Sequence, residues 1–178
     1  GANGADVLTD DDGNDEFDAG GGNDTVSSGD GNDTIFGRDG NDRITAGDGN
    51  DRITAGGGLD SVRGQDGNDR IDAGRGNDTI NGGEGDDTLI SGGGRDRAIG
   101  GEGDDVFVID AGRTTIADFG RDDDLVDLSG ANGIDSFSDF LDAARQAGNG
   151  NTIVDYDNGR LVLEDTRLAS LDNDDFIF

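Results

Sequence analysis

The chain has 178 residues, of which 42 are acidic and 13 are arginine, and its formal net charge is −29. The sequence contains neither histidine nor cysteine, which excludes disulfides, thiol chemistry, a Ser–His–Asp triad and a zinc site of the usual kind. The large negative charge predicts repulsion of nucleic acid and anionic lipid and attraction of cations. No apolar run is long enough to predict a membrane span, which needs about 18 residues or more.

Residues 1–108 consist of twelve copies of one nine-residue unit, Gly-Gly-x-Gly-x-Asp-x-apolar-x, without insertion or deletion. The eighth position is apolar throughout, from Leu8 to Phe107. The sixth position is aspartate in every unit, at Asp6, Asp15, Asp24, Asp33, Asp42, Asp51, Asp60, Asp69, Asp78, Asp87, Asp96 and Asp105. The fourth position is glycine in every unit, and from the third unit onward these are Gly22, Gly31, Gly40, Gly49, Gly58, Gly67, Gly76, Gly85, Gly94 and Gly103. Such an invariant period predicts a repeat architecture rather than a disordered acidic chain.

Each unit predicts a turn followed by a short strand. In Arg43-Ile44-Thr45 the middle side chain faces inward and its neighbours face outward. Glycines permit the turn, and asparagine at the fifth position is expected to tolerate a left-handed conformation. Two units then form one coil, so that unit n stacks on unit n+2. We therefore predict an all-β fold, a right-handed parallel β-roll (a β-solenoid) of about six two-strand coils, followed by a mixed β/α C-terminal cap.

The stacked turns predict sites for Ca²⁺. Columns of aspartate repel one another unless a cation lies between them. Ca²⁺ takes six to eight oxygen ligands in a flexible geometry, whereas Mg²⁺ demands a smaller octahedron and softer metals prefer nitrogen or sulfur. Carboxylates and the carbonyl groups of tight turns supply oxygens alone.

The repeated unit resembles the calcium-binding nonapeptide of the RTX (repeats-in-toxin) or haemolysin-type family, and the resemblance covers residues 1–108. It implies several Ca²⁺, up to about ten, each between turn n and turn n+2. One turn would supply its aspartate and the carbonyls of positions one and three, and the other its aspartate and the carbonyls of positions two and four. Asp33 would thus pair with Asp51, and Asp42 with Asp60. The twelve aspartates and the ten fourth-position glycines named above are the predicted metal-site residues.

Several units depart from the pattern. Ala2, Asp10 and Asp11 occupy glycine positions, which predicts weaker sites at the beginning of the roll. Arg38 and Gln65 also replace glycine, and Leu59 and Arg95 replace the fifth-position asparagine.

The repeat register ends at Val108, and we predict a second region over residues 109–178 that caps the roll. Short strands are expected at 114–119 and 124–129. A helix is expected to begin at Ser136, to carry Phe137, Phe140, Leu141 and Ala144 on one apolar face, and to end at Gly148. A hairpin is expected about Asp157-Asn158-Gly159.

This region resembles the C-terminal part of RTX proteins, in the segment TTIADFGRDDDLVDLS and in the terminal LDNDDFIF. The resemblance implies an uncleaved signal read by a type I (ABC-transporter) secretion machinery. It also implies a secreted, extracellular protein, most typically of a Gram-negative bacterium. Because the chain starts inside the repeat register, we expect an upstream domain of the same protein.

The predicted function is a non-catalytic Ca²⁺-binding module that folds after export. The alternative is an extracellular polysaccharide-binding or adhesion module that assists an attached enzyme such as an alginate epimerase or lyase. Outward arginines at Arg43, Arg52, Arg70 and Arg97 would serve that alternative, although offsetting nearby aspartates also explains them. An ice-binding solenoid is not favoured, since the outward ninth positions form no threonine array. Paired aspartates could serve glycoside hydrolysis, but here they are assigned as metal ligands.

Overall fold

A computed structural model of the chain describes residues 3–178. Eighteen strands and one α-helix make up the fold. Odd-numbered strands of the repeats lie in one sheet, termed sheet B, and even-numbered strands in the other, termed sheet A. The strands of sheet B are β1 (Val7–Thr9), β3 (Thr25–Asp30), β5 (Arg43–Asp48), β7 (Ser61–Asp66), β9 (Thr79–Glu84), β11 (Gly93–Glu102) and β13 (Gly112–Ile116). Those of sheet A are β2 (Glu16–Asp18), β4 (Thr34–Asp39), β6 (Arg52–Gly58), β8 (Arg70–Gly76), β10 (Thr88–Ile90), β12 (Val106–Val108) and β14 (Leu125–Asp127).

The strands pair in parallel with a spacing of two repeats, which confirms the predicted solenoid. In sheet B, Ile44 is the register partner of both Val26 and Val62. In sheet A, Ile53 pairs with Ile35 and Ile71. Each coil therefore contributes one strand to each sheet, and equivalent side chains stack in columns.

Strands β3 to β9 and β11 are longer than the predicted three residues, whereas β1, β2, β10 and β12 have that length. Strand β5 continues beyond Thr45 to Asp48 because Gly47 and Asp48 pair with the next coil as well. The alternation of the pleat then turns the first position of the following unit inward, where Ala46, Ala55 and Ala73 are fully buried. The core thus has two rows per sheet, a large apolar side chain at position eight and a small one at position one.

The parallel ladder extends one coil beyond the twelve repeats. Strand β13 pairs with β11, and β14 pairs with β12. Ile116 and Val126 occupy the inward column and are fully buried. The sequence period ends at Val108, but parallel strand pairing continues through one further coil. The division into regions 1–108 and 109–178 stays a prediction, since pairing does not show which part folds alone.

Both sheets continue into the cap. Sheet B adds β17 (Gly159–Leu163) parallel to β13, and then β16 (Thr152–Tyr156) and β15 (Ala144–Gln146), each antiparallel to its neighbour. Sheet A adds β18 (Phe176–Ile177) beside β14. Short 3₁₀ segments cover Leu168–Ser170 and Asn173–Asp175.

The single helix, α1 (Phe137–Ala143), begins as predicted. Ser136 is its N-cap, and the Ser136 hydroxyl accepts a hydrogen bond from the Asp139 N–H at 3.3 Å. The helix ends at Ala143 rather than at Gly148, because Ala144 is extended and starts β15. Phe140 is fully buried, but Leu141 is 44% exposed, so the predicted apolar face was wrong at that residue.

The hairpin forms where it was predicted, with Tyr156 opposite Gly159 across Asp157 and Asn158.

The open end of sheet A is covered by the last residues of the chain. Phe176 is buried against Phe140, with ring centres 4.3 Å apart. Within residues 3–178 no helix is both long and apolar enough to cross a membrane.

Candidate metal sites in the turns

The sixth-position aspartates connect each turn with the turn one coil away. The Asp33 N–H donates to Oδ1 of Asp51 at 2.7 Å, and the Asp51 N–H donates in turn to Oδ1 of Asp69 at 2.8 Å. The same bond joins every such pair from Asp6–Asp24 to Asp87–Asp105 at 2.7–3.0 Å. The structure therefore brings together each aspartate pair that the sequence analysis named.

The other carboxylate oxygen has no protein partner. In ten of the twelve aspartates Oδ2 is buried and accepts no hydrogen bond: Asp15, Asp24, Asp33, Asp42, Asp51, Asp60, Asp69, Asp78, Asp87 and Asp96. From Asp24 to Asp105 these residues are only 1–3% exposed. A buried carboxylate oxygen without a partner is costly, so its repetition along two columns points to a ligand that is a cation.

Electrostatics agrees with this interpretation. Burial is the largest cause that raises the pKa of Asp87 to about 8, and the carboxylates of Asp69 and Asp105 raise this pKa further. The hydrogen bond from the Asp69 N–H acts in the opposite direction and lowers it. Burial likewise raises the pKa of Asp69 and of Asp105 to about 7. Without a cation, these turns disfavour the charged form of their own carboxylates.

Carbonyl oxygens converge on the same places. A Cβ built on Gly64 would lie 1.9 Å from Oδ2 of Asp69 and 2.6 Å from the carbonyl oxygen of Gly82, in the next coil. The same holds at Gly82, with Oδ2 of Asp87 at 2.0 Å and the carbonyl oxygen of Gly100 at 2.7 Å. Oxygen atoms from two successive turns thus face one small space. This arrangement agrees with the family resemblance, which implies that position-one carbonyls are ligands.

The ten fourth-position glycines form the other wall of the turns. All ten have positive φ, between 113° and 156°. A Cβ on any of them would lie 1.5–2.6 Å from the carbonyl oxygen of the equivalent glycine one coil earlier. These carbonyls therefore point along the column toward the next turn, and no side chain could be accommodated between them.

The donor set fits Ca²⁺. It consists of oxygens only, from two carboxylates and several carbonyls of adjacent turns, which suits the six to eight ligands of this ion. The described residues contain no group of three or more acidic side chains arranged around a common point as in a side-chain metal site. Backbone carbonyls would therefore supply most of the ligands.

The fifth-position asparagines have a role that the sequence analysis missed. None of them has positive φ, so the expected left-handed conformation was wrong. Instead, Oδ1 of Asn32 accepts the Asn50 N–H at 2.7 Å, and Oδ1 of Asn50 accepts the Asn68 N–H at 2.8 Å. This asparagine ladder runs along the outside of the turns, and the 18-residue recurrence of asparagine could have indicated it.

The two aspartate columns end differently beyond the repeats. In the odd units Thr114 takes the aspartate position and its hydroxyl contacts the Ser91 hydroxyl at 2.7 Å. In the even units a one-residue insertion puts Asp124 in place, and its Oδ1 accepts the Asp105 N–H at 3.2 Å. Asp124 also accepts the Gly120 N–H at 2.8 Å, so it differs from the repeat aspartates.

At the N-terminal end the turns are more open. Asp6 and Asp15 are only partly buried, and Leu8 and Phe17 are partly exposed. This agrees in direction with the weaker sites expected there, although Ala2 lies outside the described residues.

Comparison with known families decides the relationship. The model of the RTX calcium-binding nonapeptide repeat (4 copies) matches residues 1–35, 27–62, 54–89, 63–98 and 81–116. The chain belongs to the RTX calcium-binding repeat family. The last match ends at residue 116, at the end of β13, so it includes part of the additional coil.

Among solved structures, the RTX chain is similar to the extracellular lipase LipA from Serratia marcescens, with 19% sequence identity and a TM-score of 0.39. The match covers 100% of this chain and 37% of the lipase chain, so the RTX chain spans well under half the length of that relative. No curated protein matches the sequence.

Proposed function

We propose that this RTX chain is the Ca²⁺-dependent folding and export module of a larger secreted protein. The observation that carries the proposal is the repeated buried Oδ2 atom without a hydrogen-bond partner. At Asp42, Asp69 and Asp87 this atom shares the space beside a position-one glycine with a carbonyl oxygen of the next coil. Around Asp87 the charged neighbours that raise the pKa are other aspartates.

Ca²⁺ would be held by paired aspartates such as Asp33–Asp51, Asp42–Asp60 and Asp51–Asp69, together with carbonyl oxygens of positions one to four. When bound, the ion supplies the positive charge that the turns lack. Twelve turns allow ten pairs, and ten Ca²⁺ would change the formal net charge from −29 to −9.

The mechanism is linkage between binding and folding. At low Ca²⁺ the aspartate columns repel, and the chain stays unfolded and suited to export. At high external Ca²⁺ the sites form only in the folded roll, so binding free energy becomes folding free energy. A site with Ca²⁺ at ten times its Kd contributes about 1.4 kcal/mol, and ten sites contribute about 14 kcal/mol.

The cap would contain the secretion signal. Region 109–178, with its terminal LDNDDFIF, would contain an uncleaved type I secretion signal that acts in the unfolded chain. After folding, β18 near its end pairs with β14 in sheet A. An upstream domain of the same protein, extracellular localisation and a Gram-negative source complete the proposal. Phe176 is buried in the folded cap, which supports the view that the signal is read before folding.

Far-UV circular dichroism during a Ca²⁺ titration of metal-free protein tests the proposal. We expect a cooperative coil-to-β transition that Mg²⁺ at the same concentration does not produce. A β spectrum that persists in EDTA at neutral pH would contradict the folding mechanism.

A matched pair of variants tests the sites themselves. Asp60→Asn retains an acceptor for the Asp42 N–H but loses the charge at a residue that belongs to two pairs, with Asp42 and Asp78. We expect fewer bound Ca²⁺, by up to two, and a higher transition midpoint. Asp48→Asn removes the same charge from an exposed side chain and should leave both unchanged. Equal effects of the two substitutions would mean that overall charge, not site chemistry, controls folding.

A further inference from the structure

Three arginines line a groove on the outer face of sheet B, near the end of the roll. The groove has a volume of about 370 Å³ and is lined by Asn77, Asp78, Thr79, Arg95, Asp96, Arg97, Arg113, Thr115 and Glu164. It runs across β9, β11 and β13 and ends at β17, where Glu164 follows the strand. Every residue of the lining is polar.

Two of the three arginines have no counter-ion. Arg97 pairs with Glu164, with Nη1 and Oε2 2.6 Å apart. Arg95 and Arg113 are register partners on adjacent strands, and within residues 3–178 neither forms an ion pair. Like charges directly opposite on neighbouring strands, about 4.8 Å apart at the backbone, are destabilising, so an anion between the two guanidinium groups would be favoured.

Arg95 is available because it interrupts the asparagine ladder. Its backbone N–H still donates to Oδ1 of Asn77 at 2.9 Å, but its side chain offers no acceptor to the following coil. Arg113 occupies the same fifth position one coil later. The unit to which Arg113 belongs has Thr114 at the position of the repeat aspartate. The Arg113 guanidinium therefore lies beside the last aspartate of the odd units, Asp96, which has no aspartate partner in the next coil.

The charge of the groove depends on the calcium site beneath it. Three arginines face three acidic residues, Asp78, Asp96 and Glu164, so the metal-free lining is neutral. The Oδ2 atoms of Asp78 and Asp96 are the buried, unpartnered oxygens assigned above to Ca²⁺. One Ca²⁺ on that pair would make the lining net positive by two charges, in a molecule that is otherwise strongly acidic.

We propose that the calcium-loaded groove binds a carboxylate-bearing sugar, with the carboxylate held between Arg95 and Arg113. Arginine forks match carboxylate oxygens through paired hydrogen bonds. Thr79, Thr115 and Asn77 supply hydroxyl and amide groups that suit sugar hydroxyls. The groove has no aromatic or apolar residue on which a nucleobase or an apolar peptide side chain could pack.

This inference rests on the proposed calcium function, because the groove becomes positive only with the metal in place. Of the four outward arginines named in the sequence analysis, only Arg97 lines this groove. Arg52 and Arg70 are register partners as well, but on sheet A, and they are not part of this groove. Arg70 therefore provides a matched control.

Isothermal titration calorimetry of the calcium-loaded chain tests the inference. The probe is a hyaluronan hexasaccharide, whose carboxylates alternate with neutral sugars, and an uncharged chitin hexasaccharide serves as the reference ligand. We expect the acidic sugar to bind and the neutral one not to bind. Arg95→Gln and Arg113→Gln should each weaken binding about tenfold or more, as expected for a lost hydrogen bond between charged groups. Arg70→Gln should change binding less than twofold.

Arg95→Lys separates geometry from charge. The substitution keeps the positive charge but loses the planar fork of the guanidinium. We therefore expect an affinity between that of the wild type and that of Arg95→Gln. Equal binding of the two sugars, unchanged binding in both glutamine variants, or a loss caused by Arg70→Gln would each overturn the inference.

The Ca²⁺-induced dichroism transition is recorded for every variant before titration. Absence of this transition in the wild type contradicts the proposed folding function. A normal transition without sugar binding contradicts only the groove. The two failures are therefore distinguishable.

Discussion

At the scale of single residues, the second position of the repeat shows how strictly the turn selects glycine. Gly47 and Gly56 have φ values of 126° and 113° there, a region that side chains disfavour. Arg38 adopts φ 82° at this position, but its side chain pairs with Asp18 and lies 4.9 Å from the ring centre of Phe36. Gln65 adopts φ 91°, and among the described residues its side chain makes no hydrogen bond that could compensate for the strain.

Replacing Gln65 with glycine should stabilise the calcium-loaded roll. The strain of a left-handed residue costs about 1–2 kcal/mol, which glycine would relieve. Glycine loses more conformational entropy on folding, and this offsets about 0.5–1 kcal/mol of the gain. We expect the free energy of unfolding to rise by about 0.5–1 kcal/mol in urea denaturation at saturating Ca²⁺. Gln65→Ala keeps the Cβ and should show no gain, and a gain of equal size in both variants would contradict the explanation by strain.

At the scale of elements, the asparagine ladder couples one coil to the next independently of the metal. It is interrupted at Leu59, which is 54% exposed. The Leu59 N–H donates to Oδ1 of Asn41 at 2.8 Å, but the leucine side chain offers no acceptor to the Asn77 N–H in the following coil. Leu59 and Arg95 therefore interrupt the same column, and at Leu59 the missing acceptor is a local defect.

Leu59→Asn should repair that defect. A new hydrogen bond to the Asn77 N–H would contribute about 0.5–1.5 kcal/mol, and an exposed apolar side chain would be removed. Thermal unfolding at saturating Ca²⁺ should show a higher Tm for Leu59→Asn. Leu59→Ala removes the same apolar surface without adding an acceptor, so it should not reproduce the increase.

The terminal strand β18 shows how the last element closes the roll. Phe176 packs against Phe140, Phe137 and Phe119, whereas Ile177 is 41% exposed. The Leu128 N–H donates to the Ile177 carbonyl oxygen at 2.8 Å, so the strand also covers the edge of sheet A. Its stability therefore depends on one buried ring and a few backbone bonds.

Phe176→Ala should strongly destabilise the calcium-loaded protein. Removal of a buried phenylalanine typically costs about 3–5 kcal/mol. Ile177→Ala, one residue away but exposed, should cost less than about 1 kcal/mol. Denaturant unfolding of the two variants measures this difference, and similar losses would show that the strand is held by its backbone bonds rather than by the aromatic contact.

At the scale of the whole molecule, the aspartate columns make the metal-free roll sensitive to pH. Burial first, and then neighbouring carboxylates, raise the pKa of Asp87 to about 8, and burial raises the pKa of Asp60 to about 6. Each of these values lies above the ordinary aspartate pKa of 3.8. The folded roll therefore binds more protons than the unfolded chain, and its stability falls as pH rises.

Without Ca²⁺, acidification should consequently favour the roll. The contribution is fully present below about pH 3.8 and is lost progressively as pH rises to about 8. We expect the β signal of calcium-free protein to grow as pH falls from 8 to 4, and to be nearly independent of pH between 6 and 8 at saturating Ca²⁺. A calcium-free β signal that instead grows with pH would show that the columns are not buried as described.

The repeat region was largely predictable because a nine-residue period fixes which residues face inward. The inward apolar column, the pairing of Asp33 with Asp51 and the need for glycine at the fourth position all follow from that period. Position-one burial was missed at Ala46 because the strand was taken as three residues long. In the cap, the start of the helix at Ser136 followed from local chemistry, whereas its end at Ala143 depends on pairing between β15 and β16.

The sequence by itself determined the solenoid and the oxygen-lined turns, since identical units must stack identically. Only the tertiary structure decided how the roll ends. Thr114 and the insertion before Asp124 break the repeat pattern, yet β13 and β14 still pair because the preceding coil presents a complete row of backbone donors and acceptors. The arginine groove likewise depends on this ending, because Arg97 and Glu164 lie far apart in the chain and meet only when β17 adds to the last coil.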